Sequence, residues 1–512
     1  MTSTEFDYVV VGGGTAGAVV ASRLSEDANL EVALVEWGAT DEHEPRALEL
    51  RRWAELMGSE FDLDYTSVDQ PRGNSRIRQA RARILGGCTS HNTMIAFRPP
   101  VRDLDEWVAA GAEGWGADEF FPYYDRLATN IVPVAPEHRN PYLMDVIGAA
   151  STALDIPVHE RWNDGPFADG AGFLELGYYP ETGRRSSSSV DYLHPIAADR
   201  ANLHMELETR VLRVVIRPDG DSRPRARAIV VERPGGGRSE ITARREIVLC
   251  AGSIDTPRLL MLSGVGPADD LRAAGLEVVH DLPGVGRNLM DHPEGLVLWE
   301  ATEPIPDIGA SDWDAIIAVR LDPAAPAPDI LCHVPLMTLA DHSERLGFVT
   351  PEHSLSFTPN VAKPRSRGRV WIESPDPAVQ PLIDYGYFTD PDGHDERTLL
   401  AGMRMARRVA ATEPMARWIA REVFPGPDVQ TDEELSELAR AAHHTVYHVS
   451  GTCRMGAAGD PAAVVDPQLR VRGIAGLRVA DASVFPVITT VNTVVTVLML
   501  GERAAHLIRA DG

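Results

Sequence analysis

The chain has 512 residues, 44% of them hydrophobic and 24% charged, with 75 acidic against 49 basic side chains and a formal charge of −26. That length accommodates roughly two to four domain-sized cores, and the composition is that of a folded globular chain rather than a disordered one. The acidic balance disfavours nucleic acid and anionic membranes as partners and modestly favours cationic ligands.

Cys88, Cys250, Cys332 and Cys453 are scattered, with no pairing that suggests zinc, a redox dithiol or a disulfide framework, so no metal is expected. The N-terminus lacks a basic region followed by an apolar stretch, and the longest apolar run, Val494 to Leu500, is too short to cross a bilayer. The expectation is a cytoplasmic protein without a membrane anchor.

In chain order, Tyr8-Val9-Val10-Val11 reads as a buried strand and Gly12-Gly13-Gly14-Thr15-Ala16-Gly17 as the dinucleotide-binding turn after it. Gly12 permits the tight turn, Gly14 lets backbone approach a pyrophosphate, and Gly17 lets the helix predicted over Ala16 to Leu24 pack on the strand. The helix N-terminus then faces the phosphates. Glu36 ends a second apolar run, Val32 to Val35, where a carboxylate accepts hydrogen bonds from ribose hydroxyls and disfavours the 2′-phosphate of NADP. The turn by itself does not choose between NAD and FAD.

From Asp41 to Arg83 the next strand of a compact nucleotide domain is missing, which predicts an insertion. Arg83 to Thr93 combines Gly86-Gly87 with small hydroxyl residues, letting backbone lie against a flat or phosphorylated ligand, with His91 beside it. Strands are predicted over Leu203 to Ile216, Arg227 to Glu232 and Glu246 to Ala251, the last a buried parallel strand ending at Gly252. Gly252 to Gly266 then reads as a helix with Pro257 in its first turn and Gly264 or Gly266 near its end. Between about residues 300 and 445 the texture changes to a second domain of mixed sheet and helix, with Arg369 to Glu373 alternating as a half-buried strand. Thr398 to Ala411 has helical spacing, with its arginines on a solvated face.

The last informative segments are His448-Val449-Ser450-Gly451-Thr452-Cys453-Arg454-Met455-Gly456, Gly476 to Ser483, and Val491-Asn492-Thr493. Together with the segments at Gly12, Gly86 and Gly252 they resemble the glucose-methanol-choline oxidoreductases, flavoenzymes that oxidise alcohols, from about Tyr8 to Arg509. The likeness is strongest to choline-oxidising members, at Gly86 to Asn92, Arg185 to Val190, Asp291-His292-Pro293-Glu294-Gly295 and Thr445 to His448. It implies an α/β fold (α+β overall). A discontinuous Rossmann-like FAD-binding domain would span residues 1–150, 192–295 and 446–512, and a substrate-binding domain with a mainly antiparallel sheet flanked by helices would span 151–191 and 296–445.

The same resemblance implies the site residues. Gly12, Gly14, Thr15, Gly17 and Glu36 hold the ADP half of FAD, Val211 offers backbone to the adenine, and Asp481 lies near the pyrophosphate or ribityl chain. Gly87, His91 and Asn92 adjoin the flavin, with His91 the expected point of covalent attachment. Hydride loss to flavin N5 needs a group that receives the hydroxyl proton or stabilises the alkoxide. His448 takes that role and Asn492 orients the substrate oxygen. Thr93 keeps a hydroxyl near N5 where choline-oxidising relatives carry serine, and His333 hydrogen-bonds the substrate. A quaternary ammonium donates no hydrogen bonds, so it is recognised by charge and by aromatic faces worth roughly 0.5 to 2 kcal/mol each. Glu294 matches the carboxylate, and Trp53, Trp313 and Tyr447 the walls.

Departures from the family pattern are Val449 and Ser450 after the catalytic histidine and Thr493 after Asn492, each where relatives carry proline. The short Val334-Pro335-Leu336-Met337 stretch lacks an aromatic residue, which predicts a wider pocket. The expected function is FAD-dependent oxidation of a primary alcohol with oxygen reduced to hydrogen peroxide, on choline (through betaine aldehyde to glycine betaine) or a related amino alcohol. The alternatives are a neutral primary alcohol, a dehydrogenase using a quinone or dye, an NAD-dependent enzyme, or a flavin-containing scaffold without alcohol chemistry. The oligomeric state is open, a homodimer being the form related oxidases suggest.

Overall fold

The computed structural model describes residues 4–219 and 222–511. Its nucleotide-binding half is built on a seven-stranded sheet in the order Arg210–Asp219, Ser222–Glu232, Arg238–Leu249, Glu5–Val11, Val32–Val35, Leu203–Glu206, with Leu477–Val479 also paired to Arg238–Leu249. Glu5–Val11 is central and parallel to both neighbours, and every residue in it but Glu5 is buried. Its apolar run Tyr8–Val11 is what a parallel strand covered on both faces requires. Arg238–Leu249 joins two patterns: its first half pairs antiparallel with Ser222–Glu232, and its end pairs parallel with Leu477–Val479.

Helix Thr15–Leu24 follows the first strand, as expected, and packs against the C-terminal helix Val494–Asp511. The two approach closely at Gly501, where a Cβ would lie 2.9 Å from Val19 Cβ. The third parallel strand comes only at Leu203–Glu206. The predicted insertion after Asp41 holds short elements instead, including Pro45–Leu48, the 3-10 turns of Leu50–Leu56, and Tyr65–Thr66 paired with Arg78–Gln79.

The second sheet is antiparallel, in the order Ile419–Phe424, Val297–Ala301, Ser354–Val361, Ile330–Pro335, Trp313–Val319, Gly170–Phe173. The short strand Pro293–Glu294 pairs with both Ser354–Val361 and His444–Thr445, fixing Glu294 opposite Asn360 and His444. Helix His394–Ala410 packs on this sheet at Gly402, where a Cβ would meet Pro359 Cβ at 2.8 Å. Its Arg404 and Arg408 face solvent, as expected, whereas Arg407 is half-buried and paired with Glu422 at 2.6 Å.

One local expectation is corrected. Helix Gly252–Leu262 carries Pro257 in its interior, not in its first turn. The ring cannot donate to the Ser253 carbonyl. Thr452 Oγ1 donates to it instead, at 2.7 Å, so the proline is tolerated. Gly264, at φ +78°, follows the helix end as a left-handed terminator. Among the described residues no helix is long and apolar enough to cross a membrane.

Candidate active site

A cavity of about 320 Å³ is lined from both sheets, and every residue singled out above for cofactor, substrate or catalysis borders it except Gly17. Gly17 acts from behind: a Cβ there would lie 1.9 Å from the Gly12 carbonyl oxygen. Gly12, at φ +98°, is held against the Cys250 carbonyl. The two glycine-rich segments interlock, since Gly86 N–H donates to the Gly13 carbonyl at 2.8 Å and a Cβ on Gly87 would meet Gly14 Cα at 2.6 Å. No side chain caps helix Thr15–Leu24. Its first N–H groups are therefore available to an anion in the cavity.

Glu36 does more than the sequence reading assigned to it. Its two carboxylate oxygens accept the N–H groups of Gly13 at 2.7 Å and Gly38 at 2.6 Å, so it braces the turn. Burial pushes its pKa up against those hydrogen bonds. Val211 borders the same end beside Arg210, whose guanidinium stacks 4.1 Å from the Trp37 ring; neither Arg210 nor Trp37 carried a sequence signal. Asp481 accepts from Gly252 N–H at 2.9 Å, Thr256 Oγ1–H at 2.6 Å and Ser483 N–H at 2.8 Å. It thereby pins the start of the Gly252–Leu262 helix on the cavity wall.

His91 ends the 3-10 turn Gly87–Ser90 and is buried, and its Nε2 has no hydrogen-bond partner. Burial lowers its pKa to about 4, so the ring is neutral and presents a nitrogen without a partner. The flanking Asn92 accepts from Met94 N–H at 2.9 Å, and Thr93 borders the cavity. Buried Arg185 bonds the carbonyls of Ala47 at 3.0 Å and Thr89 at 3.2 Å and also that of Asn92, so it holds this segment in place. The match at Arg185 to Val190 carried the signal, without the role.

His448 and Asn492 meet, with Asn492 Nδ2 3.3 Å from His448 Nε2, and Asn492 Oδ1 is buried without a partner. His448 Nδ1 lies 2.8 Å from His292 Nδ1. Burial, then His292, His333 and Arg81, hold His448 far below the usual imidazole range. Asp291 Oδ1 accepts the main-chain N–H of both His448 (2.8 Å) and His292 (2.9 Å), while Oδ2 accepts Tyr387 Oη–H at 2.6 Å. Neither Asp291 nor His292 was assigned a role from sequence, although both stand in the stretch that drew attention to Glu294.

Glu294 is 3% exposed and its Oε1 has no hydrogen-bond partner. His333 Nδ1 lies 3.5 Å from that oxygen, and His444 Nε2 lies 3.1 Å from Oε2. His333 Nε2 is likewise buried and unpartnered. Trp53 and Trp313 meet edge to face with ring centroids 5.4 Å apart, and Trp53 Nε1–H is occupied by the Ser311 carbonyl at 2.9 Å, leaving only ring surface for a ligand. Tyr447 has φ +66°, a left-handed conformation costly for a bulky residue, and Arg81 holds its carbonyl at 2.7 Å.

The cavity thus runs from an anion-ready helix terminus and the Glu36 carboxylate to a neutral histidine pair and a buried carboxylate that lies between His333 and His444 and has one oxygen free of hydrogen bonds. Models of the GMC oxidoreductase family match residues 6–294 and 364–501. The chain belongs to that family. As a GMC oxidoreductase it uses FAD, and the cavity fits that group: Gly14, Thr15 and Glu36 lie at the dinucleotide end, and His91 presents an unpartnered nitrogen further along. The chain is 45% identical to choline oxidase of Arthrobacter globiformis, over 100% of this chain and 95% of that protein. Among solved structures it is similar to pyridoxine 4-oxidase from Mesorbium loti, with TM-score 0.90 and 30% identity over 98% of each chain. A variant of formate oxidase from Aspergillus oryzae RIB40, solved for its effect on FAD modification, aligns with TM-score 0.89 and 25% identity over 99% of this chain and 98% of that one.

Proposed function

We propose that this GMC oxidoreductase is an oxidase of a primary alcohol bearing a cationic amine, with choline as substrate and oxygen reduced to hydrogen peroxide. The observation that carries the reading is Glu294 Oε1, a buried carboxylate oxygen with no hydrogen-bond partner in a cavity that also holds His448 and two tryptophan rings. A buried carboxylate oxygen without a hydrogen bond is costly unless a ligand satisfies it, which a cation does through its charge. The similarity to choline oxidase supports the same substrate class.

Bound FAD supplies the two-electron acceptor for the alcohol carbon's hydride and returns those electrons to oxygen. The chain's own residues handle the rest. His448 receives the hydroxyl proton at Nε2, where burial keeps the ring neutral and the nitrogen's lone pair unprotonated. Asn492 presents its free Oδ1 and its amide to the substrate oxygen, and His333 Nε2 provides a second polar contact. Glu294 holds the ammonium, with Trp53, Trp313 and Tyr447 walling the cationic end against water. His91, through Nε2, is the proposed covalent attachment to the flavin. The aldehyde product, once hydrated, again offers a hydroxyl to His448 and so supports a second oxidation to the betaine.

The test is peroxide release with choline, with oxygen uptake recorded in parallel. Peroxide in step with choline consumption supports the reading; turnover only with an added quinone or dye makes the protein a dehydrogenase. Anaerobic rapid mixing of His448→Ala should slow flavin reduction by roughly 10²- to 10⁴-fold. Reduction near the wild-type rate would remove His448 from the proton-accepting role.

A further inference from the structure

The hydrogen-bond directions around His448 can be traced from an end that cannot turn. His292 Nε2 lies 3.1 Å from the Ala362 carbonyl and 3.0 Å from the Thr489 carbonyl. A main-chain carbonyl only accepts, so Nε2 carries the proton and Nδ1 of the neutral ring carries the lone pair. That lone pair faces His448 Nδ1 at 2.8 Å, so His448 Nδ1 donates. His448 Nε2 is then left as the lone-pair nitrogen beside Asn492 Nδ2 and the cavity.

The opposite polarity fails at each step. Asn492 turned end for end would need a proton on His448 Nε2. Nδ1 of His448 would then have to accept, His292 Nδ1 would have to donate, and its neutral ring would turn a lone pair on two carbonyl oxygens. Burial, with Lys363 and His333 adding to it, also keeps His292 neutral, lowering its pKa to about 3, so a doubly protonated ring does not offer an escape.

We propose that His292 is a positioning residue that sets the tautomer of His448: clamped by the carbonyls of Ala362 and Thr489, it receives the Nδ1 proton and keeps the Nε2 lone pair turned to the substrate hydroxyl. The proposal deepens the reading of His448 as proton acceptor and rests on it. When the hydroxyl O–H bond breaks and an N–H bond forms at Nε2, the imidazolium keeps its Nδ1–H donated to a neutral partner. In triads of the Ser-His-Asp kind a carboxylate occupies that place. Here the adjacent carboxylate, Asp291, is occupied by main-chain N–H groups, Tyr387 and Thr445.

The experiment uses holoenzyme with ¹⁵N-labelled histidine, the His448 signals being identified by their loss in His448→Ala. Wild type should show His448 protonated at Nδ1 and bare at Nε2, and His292→Leu should lose that preference. In anaerobic mixing with choline, His292→Leu should reduce its flavin roughly 10²-fold more slowly, the scale of a misaligned reacting group. His292→Asn, whose Oδ1 accepts from Nδ1–H while its amide donates to a carbonyl, should restore both the tautomer and reduction to within about tenfold of wild type. A wild-type His448 protonated at Nε2 overturns the proposal, as does a slow His292→Leu with an unchanged tautomer, or an Asn variant as impaired as Leu in both readouts. If His448→Ala reduces normally while the tautomers are as stated, His448 is not the base, and the tautomer assignment stands.

Discussion

Replacing Glu294 by glutamine keeps the shape of the side chain and removes its charge, which isolates the cation-recognition argument. The carboxylate is 3% exposed and its Oε1 accepts no hydrogen bond, so that oxygen is open to the ligand and solvent screens it little, with the imidazoles of His333 and His444 at 3.5 and 3.1 Å beside the group. Two unit charges about 4 Å apart at an effective dielectric near 20 attract by about 4 kcal/mol. Desolvating the ammonium offsets part of this, leaving about 2 to 4 kcal/mol. Choline should therefore lose roughly 30- to 1000-fold in kcat/KM in Glu294→Gln. The neutral isostere, in which a tert-butyl group replaces the trimethylammonium, should change only a few-fold. The assay is initial-rate peroxide release on both alcohols, with thermal melting as a check on folding. Equal kcat/KM for the two alcohols in wild type, or an equal loss for both in the variant, would refute the charge argument.

Acid precipitation of wild type should leave yellow flavin in the pellet, whereas His91→Asn should release it to the supernatant; a colourless wild-type pellet removes the covalent bond. Gly17→Ala, whose Cβ would lie 1.9 Å from the Gly12 carbonyl oxygen, should abolish FAD retention, read as the ratio of flavin to protein absorbance. Gly14→Ala meets nothing closer than 3.7 Å, so it should fold normally and bind FAD more weakly. His443 is fully buried against Tyr387 and Phe388, with its pKa lowered to about 3 mainly by burial. Between about pH 6.5 and 3 the unfolded chain binds a proton that the folded chain excludes, so stability rises with pH there and is lost on acidification, by up to about 1.4 kcal/mol per pH unit. His443→Gln should flatten the denaturant-measured stability profile by about that slope, and an unchanged profile would contradict the sign or the size of the shift.

The strand-turn-helix at Tyr8 to Leu24 was legible in the sequence because its determinants are local: an apolar run, glycines where a Cβ would strike the Gly12 or Cys250 carbonyl oxygen, and a carboxylate one strand later. The parallel strand ending at Gly252 was legible for the same reason, as was the antiparallel character of the second sheet once the family resemblance was in hand. Pro257 was misplaced because its tolerance depends on Thr452, a partner nearly two hundred residues away. Likewise the residue type and position suggested a ribose ligand at Glu36, while its brace to Gly13 and Gly38 is a matter of distance.

Glycine spacing in the sequence pointed to a dinucleotide, and the family resemblance carried by the order of segments along the chain narrowed it to FAD and singled out His91, Glu294, His448 and Asn492. Tertiary structure decided how those residues can act. Folding buries Glu294 Oε1, His91 Nε2, His333 Nε2 and Asn492 Oδ1 without partners around one cavity, and satisfaction of hydrogen bonds is a property of three-dimensional neighbours. It also brings the carbonyls of Ala362 and Thr489 onto His292, and through that ring fixes which nitrogen of His448 keeps its lone pair beside the cavity, a direction that only the crossing of three distant segments can set.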